Sequence, residues 1–375
     1  MAARPLSRQQ WIRGAATAAA MVALGLVVIG TMMIGSGGRH GMMSGVATPM
    51  DAAMLRQRAE AARDRGRPAE AERLIRLGAR LGWRDSQTQY WLLQDALQRG
   101  DHRDALERID ALLRRRPGQA TRLFPVLHAL AIDPDGRDAI VARLADAPPW
   151  RAAFFQDVAG IDDGMTQGHE ALLDRLMAAR ALSPRDEILP YVRRLVAAGE
   201  YARAGALWVR AMGAPSSAQA PAGSFAEIDL LLAADRIAPF EWRVGRVAGA
   251  EILPEPAGVR IRMDGSTFGT LLERTISLAP GIYRIASRAS DDWPLRNGQI
   301  GWAVSCLPAR QRLPVIALPP RAGAVGWLFS IPSSGCVAQQ LALQTRRVTQ
   351  GGAVDLLLSD AGITPATRDQ VEALQ

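Results

Sequence analysis

Two neighbouring carboxylate pairs, Asp162-Asp163 and Asp291-Asp292, are the residues whose type and proximity most directly suggest chemistry. Glycosidases set two carboxylates about a scissile bond, one as acid and the other as base or nucleophile. Adjacent side chains on a strand point to opposite faces, however, and both pairs sit beside turn formers, so solvated loops are expected. His40, His102, His128 and His169 fall on a glycine-rich stretch and on helical segments. None has a second ligand four residues on, the spacing that would put two metal ligands on one helix face. Ser333-Ser334-Gly335 lacks the flanks of a nucleophile elbow, and the C-terminal half contains no histidine to act as its base. Gly35, Gly37 and Gly38 follow no strand and do not form a phosphate-cradling loop. With no matched set of nucleophile, base and oxyanion donors, the sequence predicts a protein that is not an enzyme and takes neither metal nor cofactor.

Trp242, Trp293, Trp302 and Trp327 carry apolar ring faces of the kind that stack on sugars. Trp302 and Trp327 lie in apolar alternation and are expected in a core, whereas Trp293, in a loop between Asp292 and Pro294, is the candidate carbohydrate contact. Cys306 and Cys336 are expected to pair if the body occupies an oxidising compartment, with two buried free thiols as the alternative. Cys306 shares parity with Trp302 and Val304, but Cys336 has the opposite parity from Leu341 and Leu343. Pairing therefore needs a bulge or a start-of-strand position.

The elements that carry these residues begin with an apolar run. The chain has 375 residues, enough for two or three domains, and a net charge of +8. All 45 basic residues are arginine, and Asn297 is the single asparagine. Residues 1–50 hold +4 of the charge, residues 51–213 hold +3 and residues 214–375 hold +1, so no basic face for nucleic acid is indicated. From Gly14 to Gly35 there are 22 consecutive uncharged residues. As a helix they would extend about 33 Å, enough to cross a hydrocarbon core. Arg4, Arg8 and Arg13 precede the run, so the positive-inside bias predicts cytoplasmic residues 1–13, a transmembrane helix over 14–35, a tether over 36–50 and a periplasmic body. Gly45-Val46-Ala47 keeps a cleaved signal peptide open, and a buried core helix is the remaining alternative.

A 34-residue period follows: Gly66 and Gly100 are that far apart, and so are Ala71 and Ala105. In each copy an apolar-periodic segment ends at a glycine and another begins within two residues, which predicts helical hairpins closed by Ala71 with Ile75 and Ala105 with Ile109. With Trp91, Leu92, Ala96, Gly100, Ala105, Ile109, Leu112 and Pro117, the second copy resembles the tetratricopeptide repeat family, although Leu93 stands where that family usually carries glycine. Two fainter units are expected at Gly136 with Ala139 and at Ala198 to Ala204 with Trp208 and Ala211, within repeats spanning 51–213. The resemblance implies a solenoid that binds protein partners along the first helices of its units, through Arg56, Glu60, Arg63, Tyr90, Gln94 and Gln98. An ordinary solvated helix face is the alternative use of those residues.

Residues 213–223 contain no charge and no large side chain, and a linker is expected over 214–224. After a short helix at Phe225–Ala234, the period changes to two. Val259, Ile261 and Met263 alternate with polar residues, as do Ile300, Trp302, Val304 and Cys306 with small ones; Val325, Trp327, Phe329 and Ile331 repeat the pattern. About eight such segments within 225–375 predict an antiparallel β-sandwich. Ala279-Pro280-Gly281-Ile282-Tyr283-Arg284 resembles the turn into a strand of galactose-binding-like jelly rolls. The expected protein is multidomain: a membrane anchor, an all-α solenoid and an all-β sandwich. Its expected function is a scaffold in cell-envelope or exopolysaccharide assembly, with carbohydrate binding by the sandwich, or hydrolysis at an unrecognised site, as alternatives.

Overall fold

The computed structural model describes residues 52–81, 85–212, 237–256, 258–321, 324–348 and 351–367. The apolar run, the tether, the linker and the helix expected at 225–234 lie outside these residues. Among the described residues, no helix is long and apolar enough to cross a membrane. The chain forms a helical N-terminal region followed by an antiparallel β-sandwich. Contacts divide it between Leu182 and Ser183 into two compact units.

The first unit opens with two helical hairpins, α1 (Ala52–Asp64) with α2 (Pro68–Leu81) and α3 (Ser86–Arg99) with α4 (His102–Arg115). Local chemistry dictates where they turn. Asp85 caps α3 by accepting from the Thr88 N–H, and Gly100, at φ 70°, ends it in the left-handed conformation. The N–H groups of Gly100 and Asp101 return to the carbonyls of Leu97 and Ala96. Asp101 then caps α4, so two residues finish one helix and start the next. Ala71, Ile75, Ala105 and Ile109 are all buried, where the 34-residue period puts them.

Beyond the hairpins come α5 (Ala120–Leu130), α6 (Pro134–Ala145), α7 (Arg151–Gln156) and α8 (Asp163–Ala178). Gly136 does not mark a hairpin turn: it lies in the first turn of α6, where a Cβ would fall 2.3 Å from the Leu130 carbonyl oxygen. A tight helix approach, not a repeat boundary, requires glycine there. Phe124, Trp150, Phe154 and Phe155 form an aromatic core, and the Trp150 Nε1–H donates to Asp110 at 2.9 Å. His128 stacks on Phe154 and meets His169 edge-on at 5.4 Å, both imidazoles being buried.

The second unit begins with the hairpin α9 (Leu189–Ala197) and α10 (Tyr201–Met212), closed by Gly199 at φ 82°. Its strands are β1 (Arg243–Val244), β2 (Ala250–Glu255), β3 (Gly258–Met263), β4 (Gly269–Ile276), β5 (Gly281–Ala289), β6 (Ile300–Leu307), β7 (Gln311–Leu313), β8 (Val315–Arg321), β9 (Ala324–Ile331), β10 (Ala338–Thr345) and β11 (Val354–Pro365). A one-turn helix, α11 (Trp293–Arg296), separates β5 from β6. They make a five-stranded sheet, β1-β4-β10-β6-β7, and a six-stranded sheet, β2-β3-β11-β5-β9-β8. Every pairing is antiparallel. Alternate residues of both sheets fill one core, in which Trp302 lies 6.0 Å from Trp242 and 6.4 Å from Trp327.

Cys306 of β6 and Cys336 are disulfide-bonded across 30 residues of chain. The parity conflict is resolved by position: Cys336 lies in the loop before β10, so strand alternation does not govern its direction. Gln339, fully buried, accepts from the Leu278 N–H and donates to the Cys336 carbonyl, satisfying that loop from inside.

Candidate functional site

The six residues expected on the helical inner face divide into two groups. Arg56 donates from Nε to Asp85 at 3.1 Å and from Nη1 to Glu60 at 3.0 Å, tying α1 to the cap of α3. Burial is the largest influence on Asp85 and raises its pKa, but the Thr88 hydroxyl and N–H and the Arg56 charge together hold it below the ordinary carboxylate value. The Tyr90 hydroxyl donates to Gln119 at 3.1 Å, and burial pushes its phenol pKa up. These two side chains knit elements together. Glu60 and Arg63 are exposed on α1, while half-buried Gln94 and exposed Gln98 of α3 make no side-chain hydrogen bond among the described residues.

Both carboxylate pairs lie at the starts of helices. Asp162 accepts from the Met165 N–H at the start of α8, with Asp163 in its first turn. Asp291 accepts from the Trp293 N–H, and Asp292 faces Arg296 at 3.8 Å. Trp293 sits in α11 rather than in a loop, 46% exposed, with the Arg296 guanidinium 5.8 Å above its ring. Trp302 and Trp327 are buried, as their alternation implies. Among the described residues, no three histidine, cysteine or acidic side chains form a metal-holding group.

A cavity of about 630 Å³ in the second unit joins residues that sequence spacing does not connect. Leu341 and Leu343 of β10 enter the sandwich core, so Gln340 and its cross-strand partner Thr275 point from the outer face of the five-stranded sheet. Glu273 and Leu307 extend that floor, Arg193, Val196 and Tyr201 supply a helical wall, and Ile237 to Pro239 supply another. Arg274 also borders it, but Arg274 pairs with Leu341 on the core side and lies 5.4 Å over Trp242.

Each acid of the cavity is already matched. Arg185 clasps both oxygens of Glu241 at 2.7 and 2.8 Å, and the Ala238 N–H donates to the same carboxylate. Glu273 receives Arg243 and the Gln340 amide, each at 2.6 Å. Arg193 and Arg310 add two further cations to the lining. Arg193 donates to the Ile237 carbonyl at 3.2 Å. Arg310, exposed in the β6–β7 turn, has no ion partner among the described residues. Its backbone is left-handed at φ 54°, a conformation that costs an arginine about 1 kcal/mol or more relative to glycine. The sequence offered only the arginines themselves as a signal, because the lining comes from strands far apart along the chain.

Compared with protein-family models, curated proteins and solved structures, the chain matches none.

Proposed function

We propose that this protein is a non-catalytic, membrane-anchored scaffold whose helical hairpins, read as tetratricopeptide-like, bind protein partners outside the cytoplasm. One observation carries the reading: the Arg56–Asp85 ion pair ties the first helix of one hairpin to the start of the first helix of the next. In this reading Glu60 and Arg63 of the first hairpin and Gln94 and Gln98 of the second are used as one docking surface. The Cys306–Cys336 bond supports an oxidising location, since such bonds persist outside the reducing cytosol. The 14–35 run supplies the anchor, and the resemblance to anchored repeat proteins points to cell-envelope or exopolysaccharide assembly as the process. In-cell photo-crosslinking from position 94, with position 60 as a second site, tests the surface. A discrete protein adduct, lost when Arg63 and Gln98 are changed to glutamate, is the expected result. Absence of any adduct from both positions would count against it.

The exposure of Trp293 favours a second reading, in which the sandwich binds carbohydrate. Arg296 covers one ring face, leaving the other for a sugar. Unchanged retention of Trp293→Ala on envelope polysaccharide would remove this reading.

A further inference from the structure

We propose that the cavity in the second unit binds a short acidic oligosaccharide, with Arg243 and Arg310 receiving carboxylates on different rings. The proposal is independent of the scaffold reading, and its site is not that of Trp293, which does not line the cavity.

Volume, spacing and chemistry each narrow the ligand. About 630 Å³ lies within the range of small-molecule sites, roughly 300–1,000 Å³. Arg243 stands on β1, while Arg310 follows β6, and β4 and β10 lie between. At about 4.8 Å per strand, the two backbones are separated by at least about 14 Å. With the Arg243 guanidinium held against Glu273, positions this far apart suit an extended molecule with anions on separate units. Arg243 meets Glu273 by a close contact yet keeps 60% of its side chain exposed, so much of its guanidinium fork faces outward. Arg310 brings an exposed fork at the opposite side, held there by the left-handed backbone. Guanidinium groups suit carboxylates because their parallel N–H bonds match both oxygens, as Arg185 already does with Glu241.

Between the cations, the floor is built for hydroxyl-bearing rings. Gln340 spends its amide N–H on Glu273, which leaves its carbonyl oxygen as an acceptor, and Thr275 offers a hydroxyl beside it. Val196 and Pro239 provide apolar surface for the C–H face of a sugar. A site for bare phosphate has no use for this surface.

Isothermal titration of the purified full-length chain with tetragalacturonate tests the proposal, with maltotetraose, inorganic phosphate and hexaglutamate as comparison probes. Tetragalacturonate should bind, weaken as salt rises, and lose at least tenfold in affinity in Arg243→Gln and in Arg310→Gln. The three comparison probes should bind at least tenfold more weakly than tetragalacturonate. Arg310→Gly separates binding from folding, since it relieves the left-handed strain: its melting temperature should hold or rise while affinity falls at least tenfold. No binding of tetragalacturonate at millimolar concentration, or unchanged affinity in both arginine variants, would overturn the site. Equal binding of maltotetraose or phosphate would overturn the extended acidic ligand, and equal binding of hexaglutamate would reassign the groove to acidic peptides.

Discussion

Arg56 and Thr88 converge on a single carboxylate, Asp85, the first through an Nε–H at 3.1 Å and the second through its hydroxyl at 2.5 Å and its N–H at 3.2 Å. One side chain therefore ends the entry to α3 and fastens the preceding hairpin to it. The cap is local, but the ion pair spans 29 residues and reinforces a junction at which Ala59, Ala62 and Ile75 of the first hairpin share one buried apolar cluster with Leu92 of the second.

Because these partners hold the Asp85 pKa below its ordinary value, the sign of its pH dependence follows. The native state prefers the ionised form, so its stabilisation is present above the unfolded pKa near 4 and is lost as pH falls through the lower native value. Asp85→Asn keeps a capping oxygen but removes the charge, and should abolish this share of the acid sensitivity. Asp85→Ala should cost about 1–2 kcal/mol at neutral pH. Urea unfolding of the full chain between pH 3 and pH 7 checks both; identical pH profiles for wild type and Asp85→Asn would refute the assignment.

The disulfide closes a 30-residue excursion of chain that includes β7, β8 and β9. On the chain-entropy model, removing it should destabilise the sandwich by about 3–4 kcal/mol. The comparison is wild type against Cys306→Ala with Cys336→Ala, followed by tryptophan fluorescence, because Trp242, Trp302 and Trp327 report on the sandwich core. A midpoint unaffected by the double substitution would show that the loop is held by other contacts, Gln339 foremost.

Gly168, in the middle of α8, inverts the usual helix preference. A Cβ there would lie 2.8 Å from the Ile132 Cα and 2.9 Å from its nitrogen, so backbone meets backbone at this crossing. Alanine favours a helix over glycine by up to about 1 kcal/mol, yet Gly168→Ala should destabilise by about 1–3 kcal/mol through overpacking. Gly118, in the three-residue 3-10 turn Pro117–Gln119 with nothing within 4 Å of its Cβ position, is the control for added bulk alone, and Gly118→Ala should be near neutral. A stabilised Gly168→Ala variant would contradict the close approach.

Short-range signals in the sequence carried much of the secondary structure. The 34-residue period placed Ala71 and Ala105 at buried contacts, Gly66 and Gly100 at left-handed turns, and period-two alternation put Trp302, Val304 and Cys306 into one core. Each of these signals acts within a few residues, through capping bonds, φ preference or the pleat of a strand, so it is written in consecutive letters. Gly136 misled for the same reason: a glycine that permits a helix to approach Leu130 spells the same letter as one that ends a helix.

Long-range convergence was decided by the tertiary structure alone. The strand order β1-β4-β10-β6-β7 brings Arg243, Glu273, Gln340 and Arg310 around one cavity although 67 residues separate the hydrogen-bonded Glu273 and Gln340. His128 and His169, neither with a partner at helical spacing, meet because α5 and α8 pack together. Arg56 and Tyr90, legible as members of a helix face, became ties between elements once Asp85 and Gln119 stood opposite them. Periodicity tells which side of an element is apolar, but the partner a polar side chain meets depends on which elements the core brings together.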